Sequence, residues 1–305
     1  MSAPNISYPY MPEDRHLKYV PHDHTFMQAA AQARKECAGD PLFPVGAALV
    51  KDGEVIARSG NGYSRGPGQI HVCPRVVQEC PSGTGYDLCD LHNSPGHAEP
   101  MLMKAAADAG IDPTGADVYM YGHWWACEPC WKSLIDGGVR DLYVTDDAHE
   151  RFSRENVFAQ TLTPTVKSAY IAGALTNVED FDGQCQLYES LGEVCEAMGV
   201  RTCIPHRDHT FNEIMEGGNA HEVFEVDVNE CRHNDVVIAE VSYPSLGTGG
   251  ELVAAHNCGT PVVLVSKKGA KVSRFALGNP SVVYHLQYDG VEDACRQLKN
   301  VLKQL

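Results

Sequence analysis

The chain has 305 residues, of which 43% are hydrophobic and 21% charged, and its formal net charge at pH 7 is −16. This length and composition predict a globular protein with room for two ordinary domains. The acidic balance argues against binding of RNA, DNA or another polyanion, because neutralising phosphates needs clusters of Lys and Arg. We therefore expect a small-molecule substrate.

No apolar run approaches the roughly 18 residues that a membrane helix needs, and the N-terminus lacks the charged and apolar parts of a signal peptide. We therefore expect no membrane contact and a cytoplasmic location. In such a reducing compartment, the 12 Cys residues are expected as metal ligands or small buried side chains.

The first half of the chain alternates between strand and helix patterns. Residues 1–23 are rich in proline and predict an irregular N-terminal arm, followed by a first domain over 24–155. Two apolar runs at 45–51 and 54–58 are joined by Asp52-Gly53, which predicts a β-hairpin. Helix, strand, helix and strand are then predicted at 101–107, 117–121, 130–135 and 141–145.

The most telling pattern is His97-Ala98-Glu99 followed by Cys127-Glu128-Pro129-Cys130. His97, Cys127 and Cys130 would give zinc three protein ligands and leave a fourth position for water. Glu99 could shuttle protons to and from that water. Zinc-dependent nucleobase deaminases combine these two motifs, with the thiolates favoured at a helix N-terminus. A redox Cys pair or a purely structural metal site is the alternative.

The segment from 24 to about 150 resembles the cytidine/deoxycytidylate deaminase superfamily, most closely its deoxycytidylate deaminase branch. The resemblance rests on the two motifs above, on Asn61-Gly62 and on Pro44-Val45-Gly46-Ala47-Ala48-Leu49-Val50. It implies a three-layer α/β/α domain that attacks C4 of a cytosine ring at a catalytic zinc. Glu99 would move protons to N3 and to the leaving ammonia, and Asn61 would hold a sugar hydroxyl.

Two departures from that family lie near the expected substrate. The family usually has Pro before the first Cys and Thr three residues before that Pro, where this chain has Ala126 and His123. The Asn-Ala that usually follows His-Ala-Glu is Pro100-Met101 here. The fit around the base and sugar is therefore less closely defined by the resemblance than the chemistry is.

Residues 70–96 form an insert whose Gly, Pro and Asp content predicts a loop. It carries Cys73, Cys80 and Cys89 together with His71 and His92. Several deoxycytidylate deaminases have a similar insert that binds a second zinc. By that resemblance, the three Cys residues and His92 would close a tetrahedral structural site. Unligated thiols in a loop are the alternative.

The pattern restarts after a predicted linker at 156–168. Strands are predicted at 169–172, 200–204, 235–241, 261–266 and 281–286, with amphipathic helices at 183–198, 223–231 and 291–305. This alternation predicts a second domain over 169–305, with a Rossmann-like, doubly wound parallel sheet. Such sheets bind ligands at the carboxyl ends of their strands. The segments 170–176 and 240–251 occupy such ends, with Glu251 expected in the first turn of a helix.

Residues 169 to about 305 resemble the nucleoside 2-deoxyribosyltransferase superfamily, especially its deoxynucleoside 5′-monophosphate N-glycosidase branch. The matching stretch runs from Asp227 through 235–241 to Pro244-Ser245-Leu246-Gly247-x-Gly249-x-Glu251-Leu252. The resemblance implies that Glu251 attacks C1′ of the sugar, that Tyr170 positions Glu251, and that Asp227 assists the departing base.

The same resemblance implies a 5′-phosphate site, whose residues would be Ser245, Gly247, Gly249 and Ser273, with Gly173 as a further substrate-binding residue. The monophosphate hydrolases usually follow the first Gly with Ser and, two positions later, Arg. This chain has Ala174 and Thr176 there, so one bidentate contact to a phosphate is missing. We still expect a 5′-monophosphate rather than a free nucleoside.

Together, the two halves predict a bifunctional enzyme that deaminates dCMP or CMP and cleaves an N-glycosidic bond, in an order that the residues leave open. One alternative is a deaminase whose C-terminal domain only senses a nucleotide. Another is a base-exchanging deoxyribosyltransferase. Because both families often complete their sites across subunit contacts, we expect a homo-oligomer.

Overall fold

The computed structural model describes residues 6–62, 70–81, 83–89, 92–176, 178–208 and 219–305. The chain divides into two compact units: Met1–Gln69 with Glu79–Leu162, and Ile70–Gln78 with Thr163–Leu305. A short segment of the N-terminal half thus belongs to the second unit. In the described parts of the chain, no helix combines the length and apolar character needed to cross a bilayer.

The helices and strands follow the alternation that the sequence predicts. In chain order they are β1 Leu17–Val20, α1 Thr25–Cys37, β2 Gly46–Lys51, β3 Glu54–Gly60, α2 Pro74–Val77, α3 Ala98–Asp108, β4 Asp117–Tyr121, α4 Glu128–Asp136, β5 Asp141–Thr145, α5 Ala148–Arg151, α6 Arg154–Thr161, β6 Ser168–Ala172, α7 Phe181–Ala197, β7 Arg201–Cys203, α8 Pro205–Asp208, α9 Ala220–His233, β8 Val236–Glu240, α10 Leu246–Cys258, β9 Val262–Lys267, α11 Arg274–Leu277, β10 Val282–Tyr288 and α12 Val291–Leu302.

The first unit contains a five-stranded mixed sheet in the order β1-β5-β4-β2-β3. β2 runs antiparallel to both β3 and β4, whereas β5 runs parallel to both β4 and β1. The predicted hairpin is confirmed. Its turn residues Asp52 and Gly53 have φ angles of 53° and 81°, as a two-residue turn with left-handed backbone requires.

Helices cover both faces of this sheet, and the end of β3 shows why. A Cβ at Gly60 would lie 2.2 Å from the backbone nitrogen of Ala38, directly after α1, so only glycine allows this close approach. The adjacent Ser59 points to the other face, where its Oγ donates to the carbonyl of Ala98 in α3 at 2.8 Å. The three-layer α/β/α arrangement predicted for this half is therefore confirmed.

The second unit contains a five-stranded, all-parallel sheet in the order β10-β9-β8-β6-β7. Ile171 and Ile238 belong to a core shared with α7 and α12. Their neighbours Tyr170 and Val237 point to the other face, into a core shared with α9 and α10. Because apolar side chains fill both faces, the sheet is covered on both sides, as a doubly wound fold requires.

The segment around α2 packs within the second unit. The backbone N–H of Cys73 donates to Oε1 of Gln304 at 2.7 Å, and Nδ2 of Asn300 donates to the carbonyl of Val77 at 3.3 Å. Val72 and Val77 are buried in the core that contains α12. Side-chain donors and acceptors at the C-terminal end of the chain therefore hold this segment.

Three short elements lie where the sequence predicts irregular structure. β1 lies inside the predicted arm, where Leu17 pairs with Leu142 of β5. α6 occupies part of the predicted linker, and the side chain of Ser153 caps it by accepting from the backbone N–H of Asn156 at 3.2 Å. α2 lies in the insert predicted as a loop. Packing against distant parts of the chain overrides a weak local pattern in each case.

Candidate functional sites

The two motifs of the first unit come together at the starts of two helices. His97 directly precedes α3, Cys127 directly precedes α4, and Cys130 lies in the first turn of α4. Nδ1 of His97 is 3.2 Å from Sγ of Cys130 and 3.4 Å from Sγ of Cys127, and the two sulfurs are 3.2 Å apart. All three potential metal ligands thus face one point.

These atoms fit a zinc ion. Tetrahedral bonds of the usual Zn–N and Zn–S lengths would separate the ligand atoms by about 3.5–3.8 Å, close to the observed distances. The other ring nitrogen of His97, Nε2, is 3.2 Å from the carbonyl oxygen of His92. A proton on Nε2 can be donated to that carbonyl, which leaves the lone pair of Nδ1 free for the metal.

Glu99 lies beside these ligands, in the first turn of α3, and only 4% of its surface is exposed. Burial raises the pKa of this carboxyl group above its ordinary value. The pKa of the Cys127 thiol is lowered to about 5, first by its hydrogen bond with Cys130. The site therefore combines a thiol that readily ionises with a carboxyl group that readily holds a proton.

Asn61 follows β3 and is also buried, with 8% of its surface exposed. Its Oδ1 accepts from the backbone N–H of Val45 at 2.7 Å, and its Nδ2 donates to the carbonyl of Phe43 at 2.9 Å. The amide is therefore held by the backbone that leads into β2. This firm support suits a residue that must present a fixed polar atom to a ligand.

Aromatic side chains surround the position where the chain departs from the deaminase pattern. The ring of His123 lies 5.3 Å from that of Phe43, and its Nδ1 is 2.7 Å from the carbonyl oxygen of Trp125. The ring of Tyr86 packs edge-on against that of His97, with ring centroids 4.9 Å apart. Sequence reasoning did not identify Tyr86, because it lies in an irregular insert with no periodic signal.

Three of the four residues predicted for a second zinc lie in Cys/His pairs, of which there is one in each compact unit. In the first unit, Nδ1 of His92 is 3.2 Å from Sγ of Cys89. In the second, potential ligand atoms of His71 and Cys73 lie within 4.8 Å of each other. In the described part of the chain, Cys80 belongs to neither pair and to no other group of potential ligands. The structure thus offers His71 as a potential ligand, which the predicted set omitted.

In the second unit, the predicted nucleophile and its two predicted assistants form one group. The hydroxyl of Tyr170 is 2.6 Å from Oε1 of Glu251 and 3.2 Å from Oδ1 of Asp227. These residues come from β6, α10 and α9, which meet on one face of the parallel sheet. A hydroxyl carries one proton, so it donates fully to only one carboxylate, and the shorter distance selects Glu251.

The position of Glu251 within its helix differs from the predicted one. α10 begins at Leu246 and has no acidic residue in its first turn, so Glu251 lies further inside the helix. Proximity to the helix N-terminus therefore does not dominate its charge state. Burial raises the pKa of Glu251 to about 7, against the opposing effect of the Tyr170 hydrogen bond. Its Oε2 is buried and has no hydrogen-bond partner among the described residues.

The residues predicted to bind the phosphate and the rest of the substrate have identifiable structural roles. Ser245 caps α10 by accepting from the N–H of Thr248 at 3.2 Å, and Ser273 caps α11 by accepting from the N–H of Phe275 at 3.2 Å. A Cβ at Gly173 would lie 2.1 Å from the hydroxyl oxygen of Tyr188, so packing alone already requires glycine there.

Gly247 and Gly249 both lie at the start of α10. A Cβ at Gly249 would meet no atom within 4 Å, so packing inside the unit does not explain this glycine. Space beside a helix N-terminus is what an anion would need to approach the backbone N–H groups. Packing therefore accounts for the glycine at position 173, whereas the open space beside Gly249 leaves room for an anion.

Comparisons with known proteins find similarities of two kinds. Residues 20–146 match the family model for the cytidine and deoxycytidylate deaminase zinc-binding region. A protein of Thermofilum pendens, named as a 2′-deoxynucleoside 5′-phosphate N-hydrolase 1, is 30% identical over 117 residues, which are 37% of this chain and 82% of that protein. ComE operon protein 2 of Bacillus subtilis is 26% identical over 121 residues, 39% of this chain and 57% of that protein.

Among solved structures, a CMP N-glycosidase of Clostridium botulinum is similar to 43% of this chain and to 97% of its own length, with 18% identity and a TM-score of 0.35. The similarities in sequence assign a zinc-binding deaminase region to the N-terminal part of the chain. They also connect the chain to proteins named for hydrolysis of nucleotides.

Proposed function

The chain belongs, through a segment of 117 residues, to the 2′-deoxynucleoside 5′-phosphate N-hydrolase family, and from this premise we propose that it is a bifunctional nucleotide-metabolising enzyme. The first unit deaminates a cytosine nucleotide, dCMP or CMP, at a catalytic zinc. The second unit cleaves the N-glycosidic bond of a nucleoside or deoxynucleoside 5′-monophosphate. The observation that carries the proposal is the presence of two separate groups of reactive side chains, one in each unit.

For deamination, His97, Cys127 and Cys130 would hold the zinc. When bound, zinc lowers the pKa of a water molecule, so that it can attack near neutral pH. In the overall reaction, a water oxygen would replace the amino nitrogen at C4 of the cytosine ring. Glu99 would carry one proton of the water to N3 and then the second, from the hydroxyl left on C4, to the departing ammonia, so that the oxygen remains as the carbonyl of uracil. Its burial and its raised pKa support this role.

For glycosidic cleavage, Glu251 forms a bond to C1′ while the bond from C1′ to the base nitrogen breaks. The base leaves with the electron pair of that bond and receives a proton from Asp227. Water then hydrolyses the glycosyl–enzyme ester. Tyr170 holds Glu251 through the hydrogen bond of 2.6 Å, and the unpartnered Oε2 of Glu251 is available for the attack.

The 5′-phosphate would be held at the start of α10 by Ser245, Gly247 and Gly249, with Ser273 as a further contact and Gly173 as a further substrate-binding residue. The space beside Gly249 supports this part of the proposal. Replacement of Gly249 by Ala should raise KM for a 5′-monophosphate more than KM for the corresponding nucleoside. Equal effects on both substrates would contradict a phosphate contact there.

We also propose a second, structural zinc. Zinc in structural sites takes four protein ligands, and Cys89 and His92, whose Sγ and Nδ1 atoms are 3.2 Å apart, would supply two of them. Elemental analysis should find two zinc ions per chain in the purified protein, and one after substitution of Cys89 by Ser. A single zinc per chain before the substitution would contradict this site.

Two alternatives concern the second unit. It could sense a nucleotide without cleaving it, or transfer the sugar to another base. The buried carboxylate with a free oxygen at Glu251 favours catalysis over sensing, because a binding site gains nothing from such a group. Addition of a second nucleobase tests transfer, since a new nucleoside or nucleotide would then form in place of the free sugar phosphate.

The decisive experiment is incubation of the purified protein with dCMP and with CMP, followed by chromatographic identification of the products. We expect a deaminated base and a sugar phosphate. Substitution Glu99→Gln should leave only base release, and Glu251→Gln only the deaminated nucleotide. Intact nucleotide in every reaction would contradict both activities, whereas one missing product would contradict one of them.

We further propose that the protein is a cytoplasmic homo-oligomer, because enzymes of both resembling families often complete their sites across subunit contacts. Analytical ultracentrifugation of the untagged protein would measure its mass in solution. A monomer that is active at every concentration would contradict the oligomer. Fractionation of the source cells would test the location.

A further inference from the structure

A carboxylate that sequence reasoning left without a role lies between the predicted sugar-binding residue and the metal-binding segment of the first unit. Asp40 has only 2% of its surface exposed. Its Oδ1 accepts from the backbone N–H groups of Leu42 and Phe43 at 2.8 and 3.1 Å. Its Oδ2 faces Nε2 of His92 at 2.6 Å and Nδ2 of Asn61 at 3.3 Å. One buried side chain therefore contacts both residues.

With the contact to Asp40, both N–H groups of the Asn61 amide have hydrogen-bond acceptors. An amide has two N–H donors and an oxygen with two lone pairs. Nδ2 donates to Asp40 and to the carbonyl of Phe43, so both hydrogens are used. Oδ1 accepts from the N–H of Val45 and keeps one lone pair. Asn61 is thereby oriented so that Oδ1 can accept a hydrogen bond from a substrate hydroxyl.

His92 connects the same carboxylate to the catalytic ligand. The Nδ1 atom of its ring faces Cys89, and its Nε2 faces Asp40. Its backbone carbonyl is the acceptor for Nε2 of His97, the interaction that directs Nδ1 of His97 toward the two thiols. A carboxylate that holds one nitrogen of a metal-binding imidazole fixes the ring and increases its basicity. Asp40 stands in that relation to His92.

Backbone contacts also connect Asp40 to the segments that carry Asn61 and His97. The N–H of Gly62 donates to the carbonyl of Gly96, directly before His97, at 2.7 Å. Gly62 has a φ of +76°, and a Cβ there would lie 2.8 Å from the backbone nitrogen of Asp40. A shift of Asp40 would therefore also displace the segments that carry Asn61 and His97.

We propose that Asp40 is a positioning residue of the deaminase site, which fixes the Asn61 amide and the His92 imidazole in one geometry. Through the His92 carbonyl, it also orients the ligand His97. The segment that carries Cys89 and His92 is then part of the machinery that shapes the catalytic centre, beyond any role in holding its own loop. This inference rests on the proposed deaminase function, of which it names a further component.

The test is the substitution Asp40→Asn, which keeps the size of the side chain. The Asn oxygen can still accept from the backbone, but its NH2 group would then face Nδ2 of Asn61 and Nε2 of His92, which are donors. Loss of such supporting carboxylates typically costs about 10–100-fold in metal affinity or activity. We expect kcat/KM for dCMP deamination to fall by about that factor, with a rise in KM as one component. We also expect zinc to be released faster to a chromogenic chelator.

A matched control separates positioning from general damage to the fold. Asp117 is another buried carboxylate of the same unit, and it forms an ion pair with Arg140 at 2.5 Å. Asp117→Asn should lower the melting temperature without changing KM or zinc release at 25 °C. The proposal is overturned if Asp40→Asn releases zinc and binds dCMP as the wild type does, or if both variants show the same losses. Zinc release requires no turnover, so it decides the matter even if the wild-type protein does not deaminate dCMP.

Discussion

The hydroxyl of Tyr170 should set the pH at which glycosidic cleavage becomes effective. Burial raises the pKa of Glu251 to about 7, and the hydrogen bond of 2.6 Å from Tyr170 opposes this rise. Tyr170→Phe removes a bond to a charged group, which is worth about 1.5–3 kcal/mol. At about 1.4 kcal/mol per pKa unit, the pKa of Glu251 should rise by about 1–2 units.

The consequence for rate follows from the form of Glu251 that reacts. In the proposed mechanism the carboxylate is the nucleophile, so the rate of base release should increase as pH rises through its pKa. In the variant, the ionised fraction at pH 7 should fall from about one half to about 1–10%, so base release should slow by about 5–50-fold and recover toward pH 9.

Initial rates of base release from dCMP between pH 5 and 10 would measure this shift. Tyr288→Phe is the matched control, because that hydroxyl contacts Glu240 at 3.4 Å rather than Glu251. The pH–rate profile of Tyr288→Phe should have its acidic limb at the same pH as that of the wild type. If the acidic limb of the Tyr170→Phe profile stays at the pH of the wild type, or moves to lower pH, the role assigned to the hydrogen bond is refuted.

Three further predictions address the metal, the two active sites and the packing. Cys127→Ser should lower the zinc content by one ion per chain in elemental analysis and abolish deamination; an unchanged content would contradict its role as a ligand. Glu251→Gln should slow base release by at least about 10³-fold with deamination unchanged, and Glu99→Gln should do the reverse. Cross-effects in product analysis would argue against separate sites. Gly173→Ala should destabilise the protein by about 1–3 kcal/mol in urea unfolding, because its Cβ would meet Tyr188; an unshifted midpoint would contradict the packing.

Sequence reasoning succeeded where the relevant information is local. His97 and Cys127 each directly precede a helix, so short motifs and helix-start signals together place their side chains. The hairpin at Asp52-Gly53 follows from the backbone angles that a two-residue turn requires. Tyr170, Asp227 and Glu251 are far apart in sequence, and only the resemblance to a family allowed them to be placed together.

The remainder depends on contacts between distant segments. β1 forms because Leu17 to Val20 pair with β5, and nothing in the arm itself indicates a strand. Asp40 carries no motif of its own, and its importance appears only when His92 and Asn61 are seen around it. The position of Glu251 beyond the first turn of α10 depends on where that helix begins, and helix boundaries are the least predictable feature of a sequence.

The assignment of Ile70–Gln78 to the second unit has a consequence for dissection of the protein. A cut anywhere between 156 and 168 would not separate the halves cleanly, because the upstream fragment would retain Val72 and Val77 without the helix that buries them. The downstream fragment would lose the partners of Asn300 and Gln304. A fragment meant to reproduce the second unit must therefore include residues 70–78.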